Sequence, residues 1–283
     1  MMWALAVLVA LVLAAPAAGQ DLSGTLKKVK DSGTLVLGYR ENSPPFSFVN
    51  DGKPVGYSVD ICQRVATTVQ QTLSIPDLKI TWVPVTVADR MAAVASGRVD
   101  LECGSTTMTL SRQEQVDFSQ MTWVDGGGLL TRQGAGVTGL SDLGGKRVAV
   151  IPGTTTEKAL SEALRKRVVS AQIVPVKDHD EGRNALEAGQ IDAYASDRAL
   201  LVGLLLTAKN RDKLALTEEQ FSYEPYGLML RRGDAPFRLV VNRTLASLYR
   251  TQEIVRIYER WFGGIGRPSN VLLVMYLINA LPE

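Results

Sequence analysis

The strongest constraint on this chain is that the same order of strands and helices is spelled twice. "TLVLGY" at 34–39 is a buried strand, a helical pattern runs to about residue 73, "KITWVPV" is a second strand, "ADRMAAVASG" a short helix and "VDLEC" a third strand. The order then restarts after the glycine-rich stretch "GGGLLTRQGAGVTGLSDLGG". There follow "KRVAVI", a helix opening at "GTTTEKALSEAL", "AQIVPV", a helix over 181–188 and "IDAYAS". Strand-helix-strand alternation argues for a mostly parallel sheet covered on both faces. Its repetition in 283 residues, of which 46% are hydrophobic and 21% charged, fits two α/β lobes, each large enough to bury a core. "EPYGLMLRR" at 224–232 supplies a further strand, and "APFRLVVNRTLASLYRTQEIVRIYERWF" holds two helical patterns. The chain is expected to cross between lobes near 124–131 and to return near 221–228. In the loop "RENSPPFSFVNDGKPVGYS" the prolines and Asn-Asp-Gly exclude long regular structure, and Ser58 is placed to cap the following helix.

Residues 1–19, "MMWALAVLVALVLAAPAAG", carry no charged side chain and end in small-x-small patterns, which reads as a secretory leader cleaved after Ala17 or Gly19. An uncleaved anchor is the rival, because a basic start is missing. The apolar run at 271–279 is too short to cross a bilayer and is expected to dock on a lobe. A net charge of +2 without a basic block gives no nucleic-acid footprint. Cys62 and Cys103 are the only cysteines. Export would permit one bridge, but Cys62 shares an apolar helical face with Ile61, Val65, Val69 and Leu73, which weighs toward two unlinked buried thiols. Neither spacing suits a metal, and no cofactor is expected.

In open α/β sheets ligands lodge beyond the carboxyl ends of the strands. That rule gathers Tyr39-Arg40, Ser105 to Thr107, Gly153 to Thr156 and Ser196-Asp197 around one cleft. "CGSTTMTLSR" at 103–112 combines hydroxyls, a helix start capped by Thr109 or Ser111 and the Arg112 guanidinium, a set that matches a carboxylate; the plain alternative is a helix cap beside a solvated arginine. "PGTTTE" at 152–157 repeats the device but lacks the Gly-Lys-Ser/Thr ending of a nucleotide loop. Asp197 is suited to an ammonium group or to capping the next helix. His179, the only histidine, reads as a loop residue, and Arg40 and Arg90 as surface charges until the cleft is considered.

"LKKVKDSGTLVLGYRENSPPFSF", "VGYS", "ECGSTT", "SRQEQVDFS", "GTTTE", "KDH" and "EPYGLMLRR", in this order and spacing, resemble the extracytoplasmic solute-binding proteins of amino-acid ABC importers, above all the glutamate/aspartate-binding members. The resemblance covers essentially all of the chain after the leader. It implies the two-lobed, type II periplasmic-binding-protein fold with two crossover strands, residues 20–125 with 227–283 forming one discontinuous lobe and 126–226 the other. It implies a periplasmic, monomeric, non-catalytic protein that closes over a free acidic amino acid and hands it to an ABC permease in the inner membrane. Carried over by residue, Arg112 meets the α-carboxylate with Ser105, Thr107 and Thr155 donating or positioning, Asp197 receives the ammonium, and Arg40, Arg90 and His179 gather around the side-chain carboxylate. Val87, in "VTVADR", stands where those members carry serine, which bears on the choice between glutamate and aspartate. Beside an anion His179 is expected to become an imidazolium and take up a proton on binding, with Arg40 and Arg90 opposing this. Two other functions fit the same scaffold: an exported cyclohexadienyl dehydratase, which needs a general acid in the cleft, and a ligand-sensing domain.

Overall fold

A computed structural model describes residues 22–283, so the leader reading at 1–19 lies outside the described residues. The two alternating units form two five-stranded sheets with the same plan. In the first, the order is Lys79–Pro84, Thr34–Tyr39, Leu101–Glu102, Glu224–Arg231, Val116–Asp125; in the second it is Gln172–Pro175, Arg147–Val150, Ala193–Asp197, Gly127–Arg132, Leu214–Leu216. The first three strands of each sheet are parallel, and the fourth is antiparallel to its neighbours. That fourth strand is in each case the one arriving from the other lobe. The chain leaves the first sheet at Asp125 and enters the second at Gly127, then returns between Leu216 and Glu224. Both sets of parallel strands therefore point their carboxyl ends at the junction of the lobes.

Helices cover the sheets as the apolar periodicity requires. Tyr57–Leu73 buries Ile61, Cys62, Val65, Val69 and Leu73 in the core of the first lobe, where Trp123 stacks on Phe262 with ring centroids 4.4 Å apart. Asn270–Ile278 docks by Leu272, Met275 and Tyr276, and Tyr276 bonds the Tyr57 hydroxyl at 2.9 Å. Among the described residues no helix is long and apolar enough to cross a membrane.

The proline-rich loop holds only short strands, Asn42–Ser43, Ser47–Asn50 and Lys53–Val55, in a small antiparallel sheet turned at Asp51-Gly52, both with positive φ as a tight hairpin turn needs. Two local expectations are corrected. Ser58 does not cap its helix; its hydroxyl donates to the Gly104 carbonyl at 2.7 Å, inside the cleft loop. Cys62 and Cys103 are not separate thiols but one disulfide, both fully buried, with Cα atoms 6.1 Å apart. The inward helix face that argued for a buried thiol also aims Cys62 at the strand end carrying Cys103, within bridging distance. The bridge pins that helix to the start of the loop Gly104 to Thr107.

Candidate functional site

A small cavity of about 30 Å³ lies between the lobes. Arg40, Val87, Arg90, Ser105 and Thr107 line it from the first lobe, and Thr155, Thr156, His179, Tyr194, Ser196 and Asp197 from the second. The structure thus brings together every candidate from the sequence except Arg112. That side chain is half-buried at the edge, where Nη1 donates to the Thr107 carbonyl (2.7 Å) and Nη2 to the Gly153 carbonyl (3.5 Å), touching both lobes. Thr109 caps its short helix by accepting from the Arg112 amide, and Thr154 caps the helix Thr155–Lys166 in the same way.

One end of the cavity is basic. Arg40 is 4% exposed and Arg90 5%, so neither is a surface charge. Arg40 is anchored through its backbone, which exchanges hydrogen bonds with Ser47 Oγ, and its guanidinium meets no acceptor among the described residues. Burial, then repulsion from Arg90, lowers its pKa to about 10, which still leaves it a cation at neutral pH. Arg90 Nη1 donates to Thr106 Oγ1 (2.8 Å), which donates to Glu102 Oε2 (2.9 Å), while Arg90 Nε and Glu102 Oε1 are buried without partners. Glu102, wholly buried, is the counter-charge behind the two arginines.

His179 is not in a loop: it opens the helix His179–Glu187, capped by Asp178, and its ring is buried with Nδ1 2.7 Å from the Tyr194 hydroxyl. Burial first, then Arg40 and Arg90, drives its pKa down to about 3. The ring is therefore neutral at pH 7, and its Nε2 remains for a ligand.

The other end is acidic. Asp197 stands at the cap position of Arg198–Thr207 but makes no capping bond; its carboxylate accepts from Thr156 Oγ1 and Tyr226 OH, both at 2.5 Å. Burial and the nearby Glu224 raise its pKa. Glu224, 1% exposed, accepts from Thr107 Oγ1 (2.6 Å), Thr155 Oγ1 (2.5 Å) and Ser222 Oγ (2.6 Å). Asp125, just behind, accepts the Gly126 and Ala199 amides and is pushed up to about 8, by burial and then by Asp197. Sequence reasoning missed Glu102 and Glu224. An acid inside an otherwise apolar strand, as in "VDLEC" and at the start of "EPYGLMLRR", is the signal that marks them.

No group of three or more His, Cys, Asp or Glu arranged to hold a metal occurs among the described residues. The arrangement is a bipolar pocket with buried cations at one end and hydrogen-bonded carboxyl groups at the other.

Residues 35–264 match the bacterial extracellular solute-binding proteins, family 3. The chain is 40% identical over 257 residues to the L-glutamate/L-aspartate-binding protein of Pseudomonas aeruginosa, covering 90% of this chain and 85% of that protein. It is 37% identical over 258 residues to the glutamate/aspartate import solute-binding protein of Salmonella typhimurium, covering 91% and 84%. Among solved structures, an ABC transporter periplasmic binding protein from Brucella ovis with glutathione bound superposes with a TM-score of 0.76 at 31% identity, over 82% of this chain and 73% of that chain.

Proposed function

The chain belongs to the bacterial extracellular solute-binding proteins of family 3, and from that premise we propose that it captures glutamate or aspartate between its lobes and delivers it to an ABC permease. The observation that carries this reading is the basic end. Two buried guanidiniums share the buried carboxylate Glu102, Asp197 acts on Arg90 besides, and Arg90 Nε keeps an unused donor. A ligand carboxylate brings a balancing negative charge and two accepting oxygens; an amide side chain accepts through one oxygen and brings no charge. Arg40, Arg90 and the neutral His179 hold the side-chain carboxylate, and Asp197 takes the ammonium. Arg112, which uses two of its five donors on the Thr107 and Gly153 carbonyls, turns the others to the α-carboxylate beside Ser105. Val87 offers a wall without a hydroxyl, and it packs against the apolar core of the second lobe.

On this reading the protein is a periplasmic monomer that transforms nothing. One observation favours a second reading: the raised pKa of Asp197 in the cavity is a property of general acids, as a dehydratase on this scaffold would need. Against it, both hydroxyl neighbours of Asp197 donate to it, which suits an acceptor of an ammonium group. Thermal unfolding of refolded, ligand-stripped protein against a panel of amino acids, with arogenate and prephenate included and assayed for loss of water and carbon dioxide, separates the readings. Stabilisation by glutamate or aspartate alone supports capture. Turnover of arogenate or prephenate replaces it with catalysis.

A further inference from the structure

Glu224 is a buried carboxylate at the cleft to which the proposed ligand contacts give no role. Each threonine hydroxyl has a single proton to donate. Those of Thr107 and Thr155 both point at Glu224 Oε2, at 2.6 and 2.5 Å, and Ser222 fills Oε1 at 2.6 Å. Thr107 sits in the first lobe, bridged to Tyr226, and Thr155 is the first residue of the second-lobe helix Thr155–Lys166. Glu224 itself belongs to the first sheet. The Thr155 bond therefore crosses the cleft, and the lobes cannot part without breaking it.

We propose that Glu224 is the latch of the closed state and the residue that orients two cleft hydroxyls. With their protons held by Glu224, Thr107 and Thr155 present only oxygen lone pairs to the cavity. They cannot donate to the α-carboxylate as the family resemblance implies; their hydroxyls suit the ligand ammonium, and the carboxylate is left to Arg112, Ser105 and backbone amides. The latch touches no ligand side chain, so it governs how long any ligand stays rather than which ligand is chosen. This deepens the proposed function and depends on it only for the choice of ligand in the first test.

Stopped-flow binding of glutamate and aspartate to wild type, Glu224→Ala, Glu224→Gln and Thr155→Val provides that test. Glu224→Ala is expected to raise koff roughly tenfold, the worth of one charge-assisted hydrogen bond, with kon within about twofold. The ratio of glutamate to aspartate affinity stays constant. Glu224→Gln, whose amide oxygen can still accept from both threonines, recovers most of the loss. Thr155→Val added to Glu224→Ala brings less than the sum of the two single losses, because both remove the same bond, the remainder being the Thr155 oxygen lost to the ligand ammonium. An unchanged koff in Glu224→Ala, additive losses, or a changed ligand ratio overturns the latch. Should Glu224→Ala fail to fold, Glu224→Gln and Thr155→Val carry the comparison: normal koff in Thr155→Val overturns it. If neither amino acid binds, the functional reading falls, and the latch is judged in the free protein by electron-spin distances between labels at the exposed positions Thr67 and Glu162, one on each lobe. The closed population is expected to fall equally in Glu224→Ala and Thr155→Val, and identical distance distributions overturn the latch.

Discussion

The two ends of the cleft are built on opposite principles. At the acidic end, Asp197, Glu224 and Asp125 each accept hydrogen bonds from hydroxyls or backbone amides of the protein, so the carboxylates are satisfied by the fold itself. At the basic end, donors outnumber acceptors: Arg90 leaves Nε unused, the Arg40 guanidinium makes no hydrogen bond among the described residues, and His179 is held neutral by burial and then by its cationic neighbours. Burying an unpaired donor is costly, and burying an unbalanced charge more so. On the proposed reading, the acidic end, complete in itself, serves closure and the ligand groups common to all amino acids, while the basic end is completed by a ligand anion and carries the selectivity.

The largest effect should come from breaking the acidic end. Asp197→Asn removes the partner of the ammonium, and affinity for every amino acid is expected to fall by about 3 to 5 kcal/mol without a change in ligand ranking, measured by calorimetry. Arg40→Ala, at the other end, should weaken glutamate and aspartate by about 2 to 3 kcal/mol and leave glutamine nearly untouched. Equal losses for acidic and neutral ligands in that variant would erase the division between the ends. Glu102→Gln sharpens it in the opposite direction. Removing the buried counter-charge while keeping an acceptor for Thr106 should raise the preference for acid over amide by about 1 kcal/mol, read from the ratio of dissociation constants, and should lower the melting temperature.

The smallest effect is a protonic one, and its sign separates the two ends. Asp197 has a raised pKa in the free protein, and a bound ammonium depresses it. Its contribution to affinity is fully present above the free-state pKa and is lost as pH falls through the bound-state value. Below neutrality, binding should release a fraction of a proton, and Asp197→Asn should abolish the release. His179, with its pKa at about 3, contributes no uptake between pH 5 and 9. Calorimetry in buffers of different ionisation enthalpy reads the sign directly, and net uptake that disappears in His179→Gln would return the histidine to a charged role.

Much of this was legible in the sequence because it depends on period and position. Alternation gave the two sheets, and the rule that ligands sit beyond strand carboxyl ends gathered Arg40, Ser105, Thr107, Thr155 and Asp197 before any coordinates. What escaped depends on tertiary distance. Glu102 and Glu224 look like ordinary strand residues until burial is known. Ser58 matched a capping pattern whose hydroxyl in fact holds a carbonyl across the fold. The Cys62 to Cys103 bridge joins residues 41 apart, a separation no local pattern reports. The neutral ring of His179 follows from its burial and then from two arginines remote in sequence, none of which the residues around it report.

The central claim is that the basic end requires an anion. Titration calorimetry of ligand-stripped wild type with glutamate, aspartate, glutamine and asparagine at constant pH and salt tests it most directly. The account predicts that at least one acid binds tenfold or more tightly than either amide, since charge-assisted bonds to buried guanidiniums are worth about 1.5 to 3 kcal/mol. Glutamine or asparagine binding as tightly as both acids would contradict it, because the charge at Arg40 and Arg90 would then be balanced by something other than the ligand side chain.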